Sequence, residues 1–121
     1  MAKKRVGVVL AGCGFLDGAE IHEAVLTLLS LDQRDAEVIC MAPDVNQMHV
    51  VNHKAGEPAE GESRNVLDES ARIARCEVRD IADVQADELD ALVFPGGFGA
   101  AKNLCSFAVD GPACSVNSSV E

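Results

Sequence analysis

The sequence predicts an α/β fold built on a parallel central sheet. Three short, nearly continuous apolar runs rich in β-branched residues, "RVGVVLAG", "AEVICMAP" and "ELDALVFPGG", read as strands buried on both faces. The stretches between them space apolar residues as helices do, and strand–helix–strand alternation implies crossover connections and parallel pairing. All strand C-terminal ends then fall on one edge of the sheet, where such folds bind ligands.

Each element follows from local composition. "RVGVVLAG" is the first strand, and "GCGFLDG" a glycine-punctuated loop after it. From Ala19, "AEIHEAVLTLLSLDQ" predicts a helix with Ile21, Val25, Leu28 and Leu29 on one face, and Asp17 or Gly18 as its cap. Acidic Glu20 and Glu23 suit its first turns. "AEVICMAP" is the second strand, stopped by Pro43. "NQMHVVNH" fits a short edge strand or hairpin arm, and "KAGEPAEGES" an exposed turn-rich loop. "RNVLDESARIAR" sets Val66, Leu67, Ser70, Ala71, Ile73 and Ala74 at helical spacing, and "CEVRDIADV" fits a short strand followed by a turn. "ELDALVFPGG" is the third buried strand, and "FGAAKNLCSFAV" opens a helix. No internal repeat or low-complexity segment interrupts the pattern.

At 121 residues the chain is the size of one domain. With four Phe and no Trp or Tyr, its core must be aliphatic. A net charge of −10 repels phosphate backbones and anionic lipid, which argues against nucleic-acid and membrane partners. No apolar run approaches the roughly 20 residues that cross a bilayer. "MAKK" leads straight into a strand with no secretory core between, so a cytoplasmic protein is expected. The five cysteines, Cys13, Cys40, Cys76, Cys105 and Cys114, are odd in number and lack C-x-x-C spacing. Free thiols are expected rather than disulfides or a zinc site.

Two loops at the predicted ligand edge carry the candidate chemistry. In "PGGFGAAKN", Gly96 and Gly97 can turn successive backbone N–H groups into one concavity beside a helix N-terminus, which suits an oxyanion or a carboxylate. Lys102 is not followed by Ser or Thr, so this is no Walker loop, and "GCGFLDG" is one residue too long for the dinucleotide fingerprint. No cofactor is expected. Glu23, one turn into the first helix, leans back toward the strand edge and is a candidate acid/base, with Glu20 a rival. Cys13, between Gly12 and Gly14, is a candidate nucleophile or redox-sensitive thiol near a helix start. Arg64, after the flexible loop, could reach a substrate carboxylate. Gly12, Gly14, Asn103 and Arg64 form the candidate substrate-binding set.

"LAGCGFLDGAEIHEAVLTLL", "FPGGFGAAKNL", "APDVNQMHVVNHKAGEP" and "ESRNVLDESARIAR" together resemble the ElbB family, the enhancing-lycopene-biosynthesis proteins of the ThiJ/PfpI or class I glutamine amidotransferase-like superfamily. The resemblance implies a flavodoxin-like three-layer sandwich. It also implies a cofactor-free, glyoxalase-like conversion of dicarbonyls to hydroxy acids, on a small carbonyl or carboxylate-containing substrate. Glu23 matches the glutamate that contacts the reactive cysteine, and Gly96 and Gly97 the strand-end donors. The family's nucleophile sits on a later strand-to-helix elbow that neither Cys105 nor Cys114 matches. Residues 1–121 are therefore expected to form the N-terminal portion of one such domain, with the sheet incomplete on its C-terminal side. The chain alone is expected to be inactive and to assemble as a homo-oligomer. For a processed eukaryotic relative the resemblance points to the mitochondrial matrix. A non-catalytic anion-binding or self-assembling module, or an amidotransferase- or hydrolase-like protein linked to isoprenoid metabolism, is the alternative.

Overall fold

A computed structural model describes residues 3–121. It contains β1 (Arg5–Val9), α1 (Ile21–Gln33), β2 (Glu37–Ala42), β3 (Val51–Asn52), β4 (Glu57–Pro58), α2 (Val66–Ala74), β5 (Arg79–Asp80), β6 (Ala91–Val93), α3 (Phe98–Lys102) and α4 (Phe107–Asp110). The central sheet has the order β5-β2-β1-β6, every neighbouring pair parallel. This is the α/β architecture with a parallel sheet that the three apolar runs predict. β3 and β4 form a small antiparallel hairpin, so "NQMHVVNH" does supply a hairpin arm.

β1 lies between β2 and β6, and alternation along it builds two cores. Val6 and Val8 join Leu10, Ala24, Cys40 and Ile73 on one face. Val9 joins Met41, Ile81 and Leu104 on the other. Gly7 is tightly enclosed: a β-carbon there would lie 2.8 Å from Met41 Cε and 2.9 Å from Leu92 Cδ2.

Three local expectations are corrected. First, neither Asp17 nor Gly18 caps α1. Glu20 does, its carboxylate accepting from the backbone N–H groups of His22 at 3.2 Å and Glu23 at 2.7 Å. Asp17 is otherwise engaged, taking the Val51 N–H at 2.8 Å. Second, α1 turns Ala24, Leu28 and Leu31 to the core and leaves Ile21, Val25, Leu26 and Leu29 exposed. Ala24 is fully buried because its methyl group lets the helix approach the sheet closely. Third, β6 is not covered on both faces: Leu92 is 51% exposed, and β6 forms the open edge expected of a sheet incomplete on its C-terminal side.

α2 is amphipathic as expected, burying Val66, Ser70 and Ile73. Asn65 caps it by accepting the Asp68 N–H at 2.9 Å. The helix opened by "FGAAKNL" stops at Lys102 and resumes as α4. Between the two, Leu104 turns its carbonyl to the Asn117 N–H at 2.9 Å, and Cys105 bridges to Val116.

Candidate functional site

The loop after β1 and the turn after β6 meet at the C-terminal edge of the sheet, backbone against backbone. Phe98 N–H donates to Phe15 C=O at 2.8 Å, Gly99 N–H to Gly18 C=O at 2.8 Å, and Glu20 N–H to Gly96 C=O at 2.7 Å. No side chain fits in this seam. Gly97 has φ 115°, and a β-carbon on it would strike Glu20 N and Gly18 O; one on Gly99 would strike the Gly18 backbone. Asn103 locks the seam from beneath. Its Nδ2 donates to Ala11 C=O at 2.8 Å and Asp17 C=O at 2.9 Å, and its Oδ1 accepts from Met48 N–H at 2.9 Å. Asn103 is 7% exposed, so its amide serves the loops. Lys102 Nζ adds a bond to Leu16 C=O at 2.8 Å.

A cavity of about 360 Å³ opens on one side of the seam, lined by Phe15, Glu20, Glu23, Gly97 and Phe98. The Glu23 carboxylate rests on Gly96: a β-carbon at Gly96 would lie 3.1 Å from Glu23 Cδ and would collide with Oε1. Among the described residues neither Gly96 N–H nor Gly97 N–H has a hydrogen-bond acceptor. Hydrogen bonds from the Glu23 backbone N–H, then from the His22 ring, hold the Glu20 carboxyl below its ordinary range.

A second cavity, about 320 Å³, is lined by residues that include Cys13, Asp17, Gln47, His53, Arg64 and Arg72. Asp17 is 4% exposed, and beyond its bond to Val51 N–H its Oδ1 lies 3.6 Å from His53 Nε2. Gly14 makes that approach feasible, since a β-carbon there would sit 2.7 Å from His53 Nε2 and 2.8 Å from Asp17 Oδ1. The Gly12 N–H donates to Ser70 Oγ at 2.9 Å, and the Gly14 N–H to Ala19 C=O at 2.9 Å. Both donors are thus satisfied within the fold. Burial pushes the Cys13 thiol above its ordinary pKa; the Arg72 charge opposes this, while Glu69 and Asp17 add to it. Cys13 is therefore held as a thiol, in contrast to the lowered pKa its helix-proximal position predicts.

The structure thus divides the sequence-predicted set. Glu23, Gly96 and Gly97 come together on one side. Cys13, Gly12, Gly14 and Arg64 lie on the other, and Asn103 is buried between the loops. Phe15 stands between the cavities: it lines the first and meets the His53 ring edge-on, centroids 5.7 Å apart. The sequence marks His53 only as one of three histidines that could act as a base, and does not mark Asp17, Ser70 or Phe15 as site residues; of these three only Asp17, set among the glycines of "GCGFLDG", carries a signal. A larger cavity of about 400 Å³, lined in part by Arg5, Cys40, Cys76 and Glu88, lies at the opposite, N-terminal end of the strands, away from both loops. Among the described residues no group of three His, Cys, Asp or Glu side chains is placed to hold a metal ion, and no helix is long and apolar enough to cross a membrane.

No protein-family model matches the chain. It is 61% identical over 117 residues to the human "Glutamine amidotransferase-like class 1 domain-containing protein 3, mitochondrial", covering 97% of this chain and 44% of that protein. It is 59% identical over 119 residues to the rat "ES1 protein homolog, mitochondrial", covering 98% of this chain and 45% of the relative. The crystal structure of an isoprenoid biosynthesis protein with an amidotransferase-like domain from Ehrlichia chaffeensis superposes with a TM-score of 0.84 at 51% identity, covering 89% of this chain and 50% of that one. The chain spans less than half the length of these curated relatives.

Proposed function

We propose, on the premise that this chain is a homologue of the class I glutamine amidotransferase-like ES1 proteins and shares their flavodoxin-like fold, that it supplies the proton-handling and oxyanion-holding side of a cofactor-free, glyoxalase-like site. The observation that carries this reading is the Glu23 carboxylate seated on Gly96, beside two backbone N–H groups with no partner among the described residues. In such a reaction a thiolate adds to the aldehyde of a 2-oxoaldehyde. A carboxylate then shuttles the proton between the two carbons, and backbone donors stabilise the oxyanion. Water completes the conversion to a hydroxy acid with no external oxidant, because one carbon is oxidised as its neighbour is reduced.

No cysteine lines the Glu23 cavity among the described residues. The purified chain should therefore show no consumption of methylglyoxal above the uncatalysed rate. Turnover that Glu23→Gln abolishes would refute that. An unchanged rate after the matching glutamate is replaced in a longer, active relative would remove Glu23 from the mechanism. Similarity over nearly all of this chain but less than half of its relatives supports reading residues 1–121 as the N-terminal portion of one domain. The relatives' names place them in mitochondria, and we assign this chain to the same compartment, to be checked by fractionation.

A second reading, self-assembly, is favoured by one surface. Ile21, Val25, Leu26 and Leu29 on α1 are exposed, as are Leu92 and Phe94 along the unpaired edge of β6. A second copy pairing along β6 would cover Leu92 and Phe94. Light scattering should show a dimer that Leu92→Lys converts to monomer.

A further inference from the structure

The cavity beside Cys13 lies outside the reaction proposed for Glu23, and its chemistry is different. We propose that it binds a small monoanionic carboxylate, anchored by the Arg72 guanidinium with Arg64 alongside.

The anchors are oriented in advance. Glu69 ties both guanidiniums, taking Arg64 Nη1 on Oε1 at 3.1 Å and Arg72 Nε on Oε2 at 3.4 Å. Among the described residues Arg72 Nη1 and Nη2 make no hydrogen bond, so this cavity-lining side chain, 65% exposed, keeps a pair of donors, the fork that matches a carboxylate. The carboxylate on the cavity floor does not compete for them: Asp17 already accepts the Val51 N–H and faces His53.

Charge and size narrow the ligand. The two guanidiniums of the lining are offset by Glu69 and Asp17, so the cavity is locally neutral in a chain of net charge −10. Repulsion from Glu69, Asp17 and the surrounding field grows with the charge of the ligand, so a monoanion on the Arg72 fork is opposed less than a dianion. A volume of about 320 Å³ admits a small metabolite with room to spare. Cys13 forms part of the wall as a neutral thiol and adds no charge of its own.

The test is an NMR titration of the ¹⁵N-labelled chain with lactate, its neutral analogue lactamide, and inorganic phosphate. Lactate should shift the Cys13 and Arg72 amides saturably, and lactamide should not. Arg72→Met retains the aliphatic stem of an exposed helix residue and should weaken lactate binding about tenfold or more, a fold-change tied to loss of the guanidinium. A dispersed spectrum of that variant certifies its fold. Absent shifts at Cys13, equal shifts with lactamide, or undiminished binding by Arg72→Met each overturn the proposal. Tighter binding of phosphate than of lactate overturns the monoanion assignment. Glu23→Gln should leave the lactate shifts unchanged, so failure of the glyoxalase-like reading and failure of this one are separable.

Discussion

The two cavities flanking the loop after β1 have opposite characters. The Glu23 side offers two carboxylates and two backbone N–H groups, framed by Phe15 and Phe98. The Cys13 side offers guanidiniums, an imidazole and a thiol, framed by satisfied polar groups. A reaction needing both thiol and glutamate cannot draw on Cys13 and Glu23 through this arrangement, because the loop backbone and Phe15 lie between them. Proximity in sequence, ten residues apart, is thus a poor guide to shared chemistry when a glycine loop separates two faces.

Five variants or measurements break or sharpen that contrast. The largest effect is expected at the seam itself. Gly97→Ala forces a β-carbon into the Glu20 and Gly18 backbone at φ 115°, and should lower stability in urea by at least about 3 kcal/mol, disturbing both cavities. Gly96→Ala meets only the flexible end of Glu23, so a much smaller loss, under about 1 kcal/mol, should accompany displacement of that carboxylate alone. Equal losses for the two would show that the seam is not backbone-limited. Next, Asp17→Ala strands the Val51 N–H and removes the partner of His53, at about 1–3 kcal/mol. Thermal unfolding should report that loss, with faster alkylation of Cys13 as the second cavity loosens.

Smaller effects come from titration. The Cys13 thiol is raised by burial, so less thiolate is present at any given pH, and iodoacetamide should modify it more slowly than exposed Cys76. The same shift favours the protonated fold: its contribution is complete below the ordinary thiol range and is lost as pH rises through the elevated value. Alkylation of Cys13 that outpaces Cys76 at pH 7 would contradict this. The smallest effect belongs to Glu20. Its lowered carboxyl stabilises the start of α1 above the ordinary carboxylate range, and that contribution fades as pH falls through the lowered value. Glu20→Gln should remove this acid limb from a circular-dichroism titration and lower stability slightly at pH 7, where the ionised carboxylate contributes in full.

The sheet and α2 were legible because their signals are redundant. β1 and β2 carry β-branched runs, and α2 has Asn65 at its start and Val66, Ser70 and Ile73 on one face. The orientation of α1 was not legible. Ile21, Val25 and Leu29 form the more hydrophobic stripe, yet close packing against the sheet selects the face with Ala24, which the size of an alanine hides from any hydrophobicity pattern. β6 reads as an interior strand, and its exposed Leu92 lies on the side where the sheet is expected to be incomplete. At the site, spacing alone leaves Glu23 level with Glu20 and the Gly-Gly turn a generic one; the family resemblance is what singles out Glu23 beside that turn. The diversion of Cys13 was not, since it depends on positive φ at Gly12 and Gly14 and on His53, nearly forty residues away, closing over Gly14. Sequence separation carries no information about such a closure.

The seam also sets how the two halves of this edge can vary. Its contacts are peptide to peptide apart from the Asn103 and Lys102 side chains, which line neither cavity, so its geometry does not depend on which side chains do. The wall around Glu23 and the wall around Arg72 can be remodelled one at a time, and each leaves the other's mount in register. The glycines act as a fixed chassis on which the two cavity walls vary independently.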